Sequence, residues 1–233
     1  MRISQPNRLL AGLPDGDRLR LLGACDEVSL EVAAVLYTSG GPLEHAYFPT
    51  GSSVSLMIAI DAVDSLEVSL VGSEGMLGIP LVLGVSVSPM RAVVQGPGPA
   101  LRMEASLFRR ELERSRALQA ALNRYVCVQW NQLAQSALCT RYHVVEARLA
   151  RWLLMTQDRA RADHFHITHE FLAVILGVRR VGVTKAASAL QRRSLIRYSR
   201  GDITVLDRRG LRAASCGCYE ADRKSYSSIL PVA

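Results

Sequence analysis

The chain has 233 residues, 49% of them hydrophobic and 21% charged, which is enough to bury one good core or two modest ones and too apolar for a disordered chain. Its formal charge of +7 divides unevenly: residues 1–104 hold 6 basic and 11 acidic side chains, a net of −5, and residues 105–233 hold 22 and 10, a net of +12. Two halves of opposite sign predict two domains with different tasks, the basic one facing an acidic partner. Except for Lys185 and Lys224 the basic residues are all arginine, whose planar fork suits phosphates and guanine edges. No apolar stretch nears the roughly 20 residues of a membrane span. Residues 1–13 lack the apolar run and small-residue cleavage site of a secretory signal. Five scattered cysteines, Cys25, Cys127, Cys139, Cys216 and Cys218, fit reduced thiols in a cytoplasm and exclude a disulfide scaffold.

After an amphipathic opening with Leu9, Leu10, Leu13, Leu19, Leu21 and Leu22, short alternating or β-branched runs predict strands at 28–37, 45–48, 53–60, 66–71, 91–95 and 100–103. Gly40-Gly41-Pro42, Pro49-Thr50-Gly51, residues 61–64 and Gly96-Pro97-Gly98-Pro99 supply the turns of an all-β sandwich or roll. From Ala105 the period becomes helical, and Leu118, Leu122, Tyr125, Gln129, Leu133 and Ala137 form one stripe. A second copy of the helix is the expected cover for that stripe, with packing on the chain's own β domain as the alternative. Residues 144–157 predict a further helix with Leu149, Trp152, Leu153 and Leu154 on its apolar face, and 158–163 a polar connector.

Residues 167–190 predict two short helices around a glycine turn, a helix-turn-helix. Thr168 is placed to cap the first helix, Ala173 is small where the helices cross, Gly177 ends the first helix, and Val183 and Leu190 face the core. The second helix is expected to expose Arg179, Arg180, Thr184 and Lys185 toward phosphates and base edges. Residues 195–198, 199–202 and 203–206 then predict strand, turn and strand: a wing with Arg200 at its tip. Together these features point to double-stranded DNA as partner.

The chain resembles the Crp/Fnr family of bacterial transcription regulators. Leu172-Ala173-Val174-Ile175-Leu176-Gly177-Val178-Arg179-Arg180, Leu195-Ile196-Arg197-Tyr198 and Gly201-Asp202-Ile203-Thr204-Val205-Leu206-Asp207 carry the likeness in the basic half. Tyr47-Phe48-Pro49-Thr50-Gly51 and Gly72-Ser73-Glu74-Gly75-Met76-Leu77-Gly78 carry it in the other. The resemblance implies an α+β fold: an antiparallel, cyclic-nucleotide-binding-like β-roll over 1–104, a dimerisation helix over 105–139 and a winged helix-turn-helix over 140–233. It further implies a cytoplasmic homodimer that reads a palindromic operator and meets RNA polymerase, and no enzyme. The family's recognition contacts would fall on Arg180, Val181 and Lys185, and Val181 departs from the usual glutamate. A valine accepts no hydrogen bond from cytosine but can touch a thymine methyl, so the operator is expected to differ at that base pair.

By the same resemblance an effector would sit on the turn holding Gly72, Glu74, Gly75 and Gly78, with Arg91 on its phosphate and Ala92 beside it. Where nucleotide-binding members have an acid and a hydroxyl, Ile79 and Ala92 stand here, which argues against cyclic AMP bound in the usual manner. No motif fixes a cofactor; a cyclic nucleotide, cyclic di-GMP or another anion is the class such a pocket would take. The alternative is a regulator without an effector, or one that responds to redox or metal. The histidines 164, 166 and 169 are expected to point apart rather than form a zinc site, and Cys216 and Cys218 to be packed, although such a pair could bind metal or respond to oxidation. No metal site is assigned. Cys25 stands alone, which excludes the relatives' iron–sulfur switch, and His45 or Cys25 is the remaining route to haem. A cupin-like metalloenzyme has little support from one histidine in the β half, and an interaction module with a vestigial wing would bind no DNA at low salt.

Overall fold

Strand-forming residues dominate the first hundred positions, and the structure, a computed structural model describing residues 7–59, 65–160 and 162–230, folds them as a roll. The turn expected at 61–64 lies outside the described residues. Two short helices, α1 (Arg8–Ala11) and α2 (Asp15–Gly23), precede β1 (Asp26–Leu30), β2 (Val35–Tyr37), β3 (His45–Pro49), β4 (Ser53–Ala59) and β5 (Ser65–Val71). Then come α3 (Ile79–Val82), β6 (Arg91–Gly96) and β7 (Gly98–Glu104). The strands form sheets of order β1-β7-β3 and β2-β6-β4-β5. β7 is antiparallel to both neighbours, with Ala100 opposite Val28 and Leu101 opposite Phe48. Residues from both sheets, among them Phe48, Val54, Val71 and Val94, share one core.

The stretch 28–37, expected as one strand, is two strands in different sheets. Ala33 adopts φ 64 and turns the chain, its N–H donating to the Val94 carbonyl at 2.9 Å. No Gly, Pro or Asn marks that turn in the sequence.

The helical segment is also divided, into α4 (Ala105–Arg114) and α5 (Arg116–Tyr142). Ser115 leaves helical geometry at φ −117, ψ 101. Its Oγ accepts the Leu118 N–H at 3.0 Å and its hydroxyl donates to Asp17 at 2.7 Å, so it caps the new helix while tying it to α2. Along α5, Leu118, Leu122 and Tyr125 are buried in the roll's own core, and the Gln129 amide donates to the Tyr125 hydroxyl at 2.7 Å. The expected dimer stripe is therefore, over its first half, the cover of its own roll; Leu133 is half-buried and Ala137 exposed. The periodicity was right, but burial against the roll uses the stripe first.

The chain forms two compact units. One comprises the residues up to Leu56, Leu70–Trp130 and those from Ser225; the other comprises Met57–Ser69 and Asn131–Lys224. The second holds α6 (Val145–Ala160), β8 (His164–His166), α7 (His169–Leu176), α8 (Arg180–Arg192), β9 (Ile196–Ser199), β10 (Asp202–Val205) and α9 (Arg208–Ala214), and α10 (Cys218–Ile229) begins in it. Leu149, Leu153, Leu172, Val183, Leu190, Ile203 and Leu211 are its core. Within this unit the Trp152 Nε1 donates to Glu67 at 2.9 Å.

Three arginines fasten α6 to its surroundings. Arg148 donates to the Leu176 carbonyl, closing the C-terminal end of α7. Arg151 pairs with Asp222 at 2.5 Å, both side chains almost fully buried, and Arg208 reaches Asp158 at 2.6 Å and the Tyr219 hydroxyl at 2.9 Å. Burial pushes the Asp222 carboxyl up and Arg151 opposes it, so removing either partner would strand a buried charge. No helix among the described residues is long and apolar enough to cross a membrane.

Candidate nucleic-acid interface

Local sequence chemistry sets the helix pair. Thr168 precedes α7 in extended geometry, and its Oγ1 accepts the Phe171 N–H at 3.2 Å. Gly177 ends the helix at φ 58, ψ 46, a left-handed residue that lets the Val178 N–H reach back to the Ala173 carbonyl at 3.0 Å. With only Val178 and Arg179 left before α8, the second helix starts at once across the first.

Val183, Ala186, Ala187 and Leu190 bury one face of α8, and at helical spacing the opposite face exposes Arg180, Val181, Thr184 and Lys185, with Val181 at 59%. Arg179 is the exposed N-cap residue, and the first-turn N–H groups carry the positive end of the helix dipole. Arg180 pairs with Glu170 at 3.0 Å, but both side chains are more than 60% exposed, so the pair is worth little and releases the guanidinium readily. Thr184 donates to the Arg180 carbonyl at 3.1 Å and lies 3.1 Å from His169 Nδ1.

His169 and Tyr198 organise this corner, a role that the local sequence pattern around neither residue signals. Their rings stack at 4.3 Å and 6°, and the Tyr198 hydroxyl donates to the Ile167 carbonyl at 3.1 Å. One imidazole thus links the start of α7, the exposed face of α8 and the wing. Burial, then the charge of Arg180, lower its pKa below the ordinary 6.5, which favours the neutral ring.

The wing is a sheet of order β8-β10-β9. Arg200 at φ 52 and Gly201 at φ 92 are two consecutive left-handed residues, the geometry of a tight hairpin turn, and they place Arg200 at the exposed tip. The third strand, β8, is too short to show a period in the sequence. It also corrects the expectation for the histidines: two residues apart on a strand, His164 and His166 share a face and both approach Asp202, at 3.8 and 2.9 Å. Only His169 turns away.

In the first unit, the turn holding Gly72, Glu74, Gly75 and Gly78 is already engaged within the chain. The Gly72 N–H donates to Glu74 Oε1 at 3.2 Å, and the Gly75 N–H to the Gly72 carbonyl at 3.0 Å. Asn7 Nδ2 fixes the Gly75 carbonyl at 2.7 Å. The phenol of Tyr125 lies so close to Gly75 that a Cβ there would be 2.0 Å from the hydroxyl oxygen, so only glycine fits. Gly78 takes φ 94 at the start of α3. Arg91 is exposed at the start of β6, and Ala92 beside it is fully buried. The sequence also gave no notice that Cys139 and His143 join Cys216 and Cys218; the four-residue step from Cys139 to His143 was the available signal.

These features define the class: a winged-helix DNA-binding protein with a β-roll. Residues 147–214 match the family described as Crp-like helix-turn-helix domain. No curated protein matches the sequence. Similar solved structures include FixK2 from Bradyrhizobium japonicum, at 14% identity and a TM-score of 0.70, covering 82% of this chain and 98% of that one. They also include the cyclic di-GMP-responsive global regulator CLP from Xanthomonas campestris, at 15% identity, a TM-score of 0.66, and 82% and 99% coverage. A CRP-family transcriptional regulator from Thermus thermophilus matches at 15% identity and a TM-score of 0.68, over 81% and 96%. The likeness in structure establishes the fold, and the matched domain establishes a Crp-like helix-turn-helix, the DNA-binding module of transcription regulators.

Proposed function

We propose that the protein acts in the cytoplasm as a homodimer that reads a two-fold symmetric operator and meets RNA polymerase there. The observation that carries this reading is the exposed face of α8, with Arg180, Val181, Thr184 and Lys185 aligned and Arg179 at its start. In this reading α8 enters the major groove, Arg180 and Lys185 meet base edges or phosphates, Val181 meets a thymine methyl, and Arg200 contacts the adjacent backbone. The division of labour follows the segments 1–104, 105–139 and 140–233 as sensor, dimerisation helix and reader. The dimer seam falls on the face of α5 that the roll leaves uncovered, where Trp130 is 73% and Leu138 45% exposed and Ala134 lies between them.

For the roll, a sensing role through Gly72, Glu74, Gly75, Gly78, Arg91 and Ala92 would admit a cyclic nucleotide or, as the name of the Xanthomonas regulator says of that protein, cyclic di-GMP. One observation favours a regulator that works without a phosphate ligand in this turn: Glu74 already places a carboxylate oxygen on the Gly72 N–H. The test is selection of bound fragments from random duplex DNA with purified protein, followed by titration of the winning site with and without cyclic AMP and cyclic di-GMP. An inverted repeat with half-sites about one helical turn apart, bound with a steep salt dependence, is the expected result. Affinity unchanged by both nucleotides supports the effector-free reading, and recovery of no sequence overturns the operator reading.

A further inference from the structure

Four side chains from three distant stretches converge in the C-terminal unit. Cys139 lies in the last turn of α5 and His143 just past its end, four residues on, where the His143 N–H still donates to the Cys139 carbonyl at 3.1 Å, so their side chains share a face. Cys216 follows the last turn of α9 and Cys218 opens α10, with Gly217 between them. Cys139 Sγ lies 3.5 Å from Cys216 Sγ, and Cys218 Sγ lies 3.5 Å from His143 Nδ1. All four ligand atoms fall within 4.8 Å of one another. The three cysteines are almost wholly buried and His143 is half-buried.

We propose that Cys139, His143, Cys216 and Cys218 form a tetrahedral site for one Zn²⁺, which clips the end of α5 to the junction of α9 and α10. A zinc ion with bonds of about 2.3 Å to sulfur and 2.0 Å to nitrogen demands ligand atoms roughly 3.5 to 3.8 Å apart, close to the two separations above. Three thiolates and one imidazole are a structural donor set with every position filled, and a closed site holds metal without offering it to a substrate. On binding, each thiol gives up its proton to solvent and forms a sulfur–zinc bond; no electron is transferred. The complex carries one net negative charge, and two cations already act on Cys139: Arg148 and Arg151. A lone thiol pair would need neither the imidazole nor the third cysteine. The local pattern, Cys-x3-His at a helix end and Cys-x-Cys between two helices, is shared with neither the His164–His166 pair nor the turn of the roll, and the site stands whether or not the operator reading holds.

The test begins with unaltered full-length protein purified without chelator. About one zinc per chain by elemental analysis, and protection of Cys139, Cys216 and Cys218 from alkylation until a strong chelator is added, are the expected results. The same protein unfolded in guanidinium with chelator, in which every cysteine reacts, serves as the reference. Reconstitution with Co²⁺ should give the visible bands of tetrahedral cobalt together with thiolate-to-cobalt charge transfer. In Cys218→Ser and in His143→Ala, metal content or retention against chelator should fall at least tenfold, whereas Cys25→Ser should retain the full complement. Substoichiometric metal after growth and refolding with added zinc would overturn the proposal, as would free alkylation of the three buried thiols or a Cys139–Cys216 disulfide in their place.

Discussion

In the proposed reading Val181 stands where a carboxylate would accept from cytosine, and its exposed isopropyl group offers only apolar contact. Beside it Arg180 is the strongest candidate for a bidentate base contact, held meanwhile by an exposed pair with Glu170 that DNA displaces at small cost. Arg180→Ala is expected to weaken binding to the selected operator by about 1 to 3 kcal/mol while leaving random-duplex affinity nearly unchanged. Fluorescence anisotropy on both duplexes would measure it, and equal losses on the two would remove the base-contact role. His169 sets a pH dependence at the same corner. Because its native pKa lies below the unfolded value of 6.5, the unfolded chain takes up more protons just below that pH, and stability rises with pH there. The neutral ring's contribution is complete above 6.5 and is lost as pH falls toward the native value. In His169→Phe, which keeps an aromatic ring against Tyr198, denaturant melts at a series of pH values should lack that part of the slope; an unchanged slope would assign it to other groups.

At the scale of elements, the helix-turn-helix depends on how little chain separates its two helices. Gly177 supplies the left-handed residue that makes so short a connection feasible. Gly177→Ala keeps the sequence pattern but forces a Cβ into that geometry, with an expected loss of about 1 to 2 kcal/mol of stability. Thermal melts check the loss, and a midpoint equal to the unaltered protein's would mean the turn relaxes without strain. The two short helices around Gly177, the Thr168 cap, the buried face of α8 and the basic hairpin were all legible in the sequence, since each depends on neighbours within a few positions. The division of 28–37 at Ala33 and of the long helix at Ser115 was not. Ala33 carries no turn chemistry of its own, and Ser115 acts as a cap because Asp17, 98 positions away, holds its hydroxyl.

Across the whole molecule, α5 has two apolar faces with different fates. One, through Leu118, Leu122 and Tyr125, closes the core of the roll. The other leaves Trp130 and Leu138 in solvent, a large exposure for side chains whose burial is worth roughly 1.5 to 3 kcal/mol each. If these two side chains form the proposed seam, replacing both with arginine is expected to leave the chain folded, convert the proposed dimer to a monomer in sedimentation velocity, and lower operator affinity more than tenfold through loss of the second half-site. A double variant that still sediments as a dimer would place the seam elsewhere.

Composition, period and turn chemistry in the sequence were sufficient for an all-β sandwich or roll followed by a basic winged helix-turn-helix, and for placing Arg179, Arg180, Thr184, Lys185 and Arg200 on it; the resemblance added the β-roll and Val181. Such signals lie within a few residues, where backbone geometry alone dictates which side chains share a face. Only the tertiary structure decided which partner covers the stripe of α5, closed Glu74 onto the Gly72 N–H, turned His164 and His166 toward Asp202, and brought Cys139 and Cys216 together from 77 positions apart. Those outcomes depend on which distant segments meet, and periodicity specifies that a face must be buried without specifying against what.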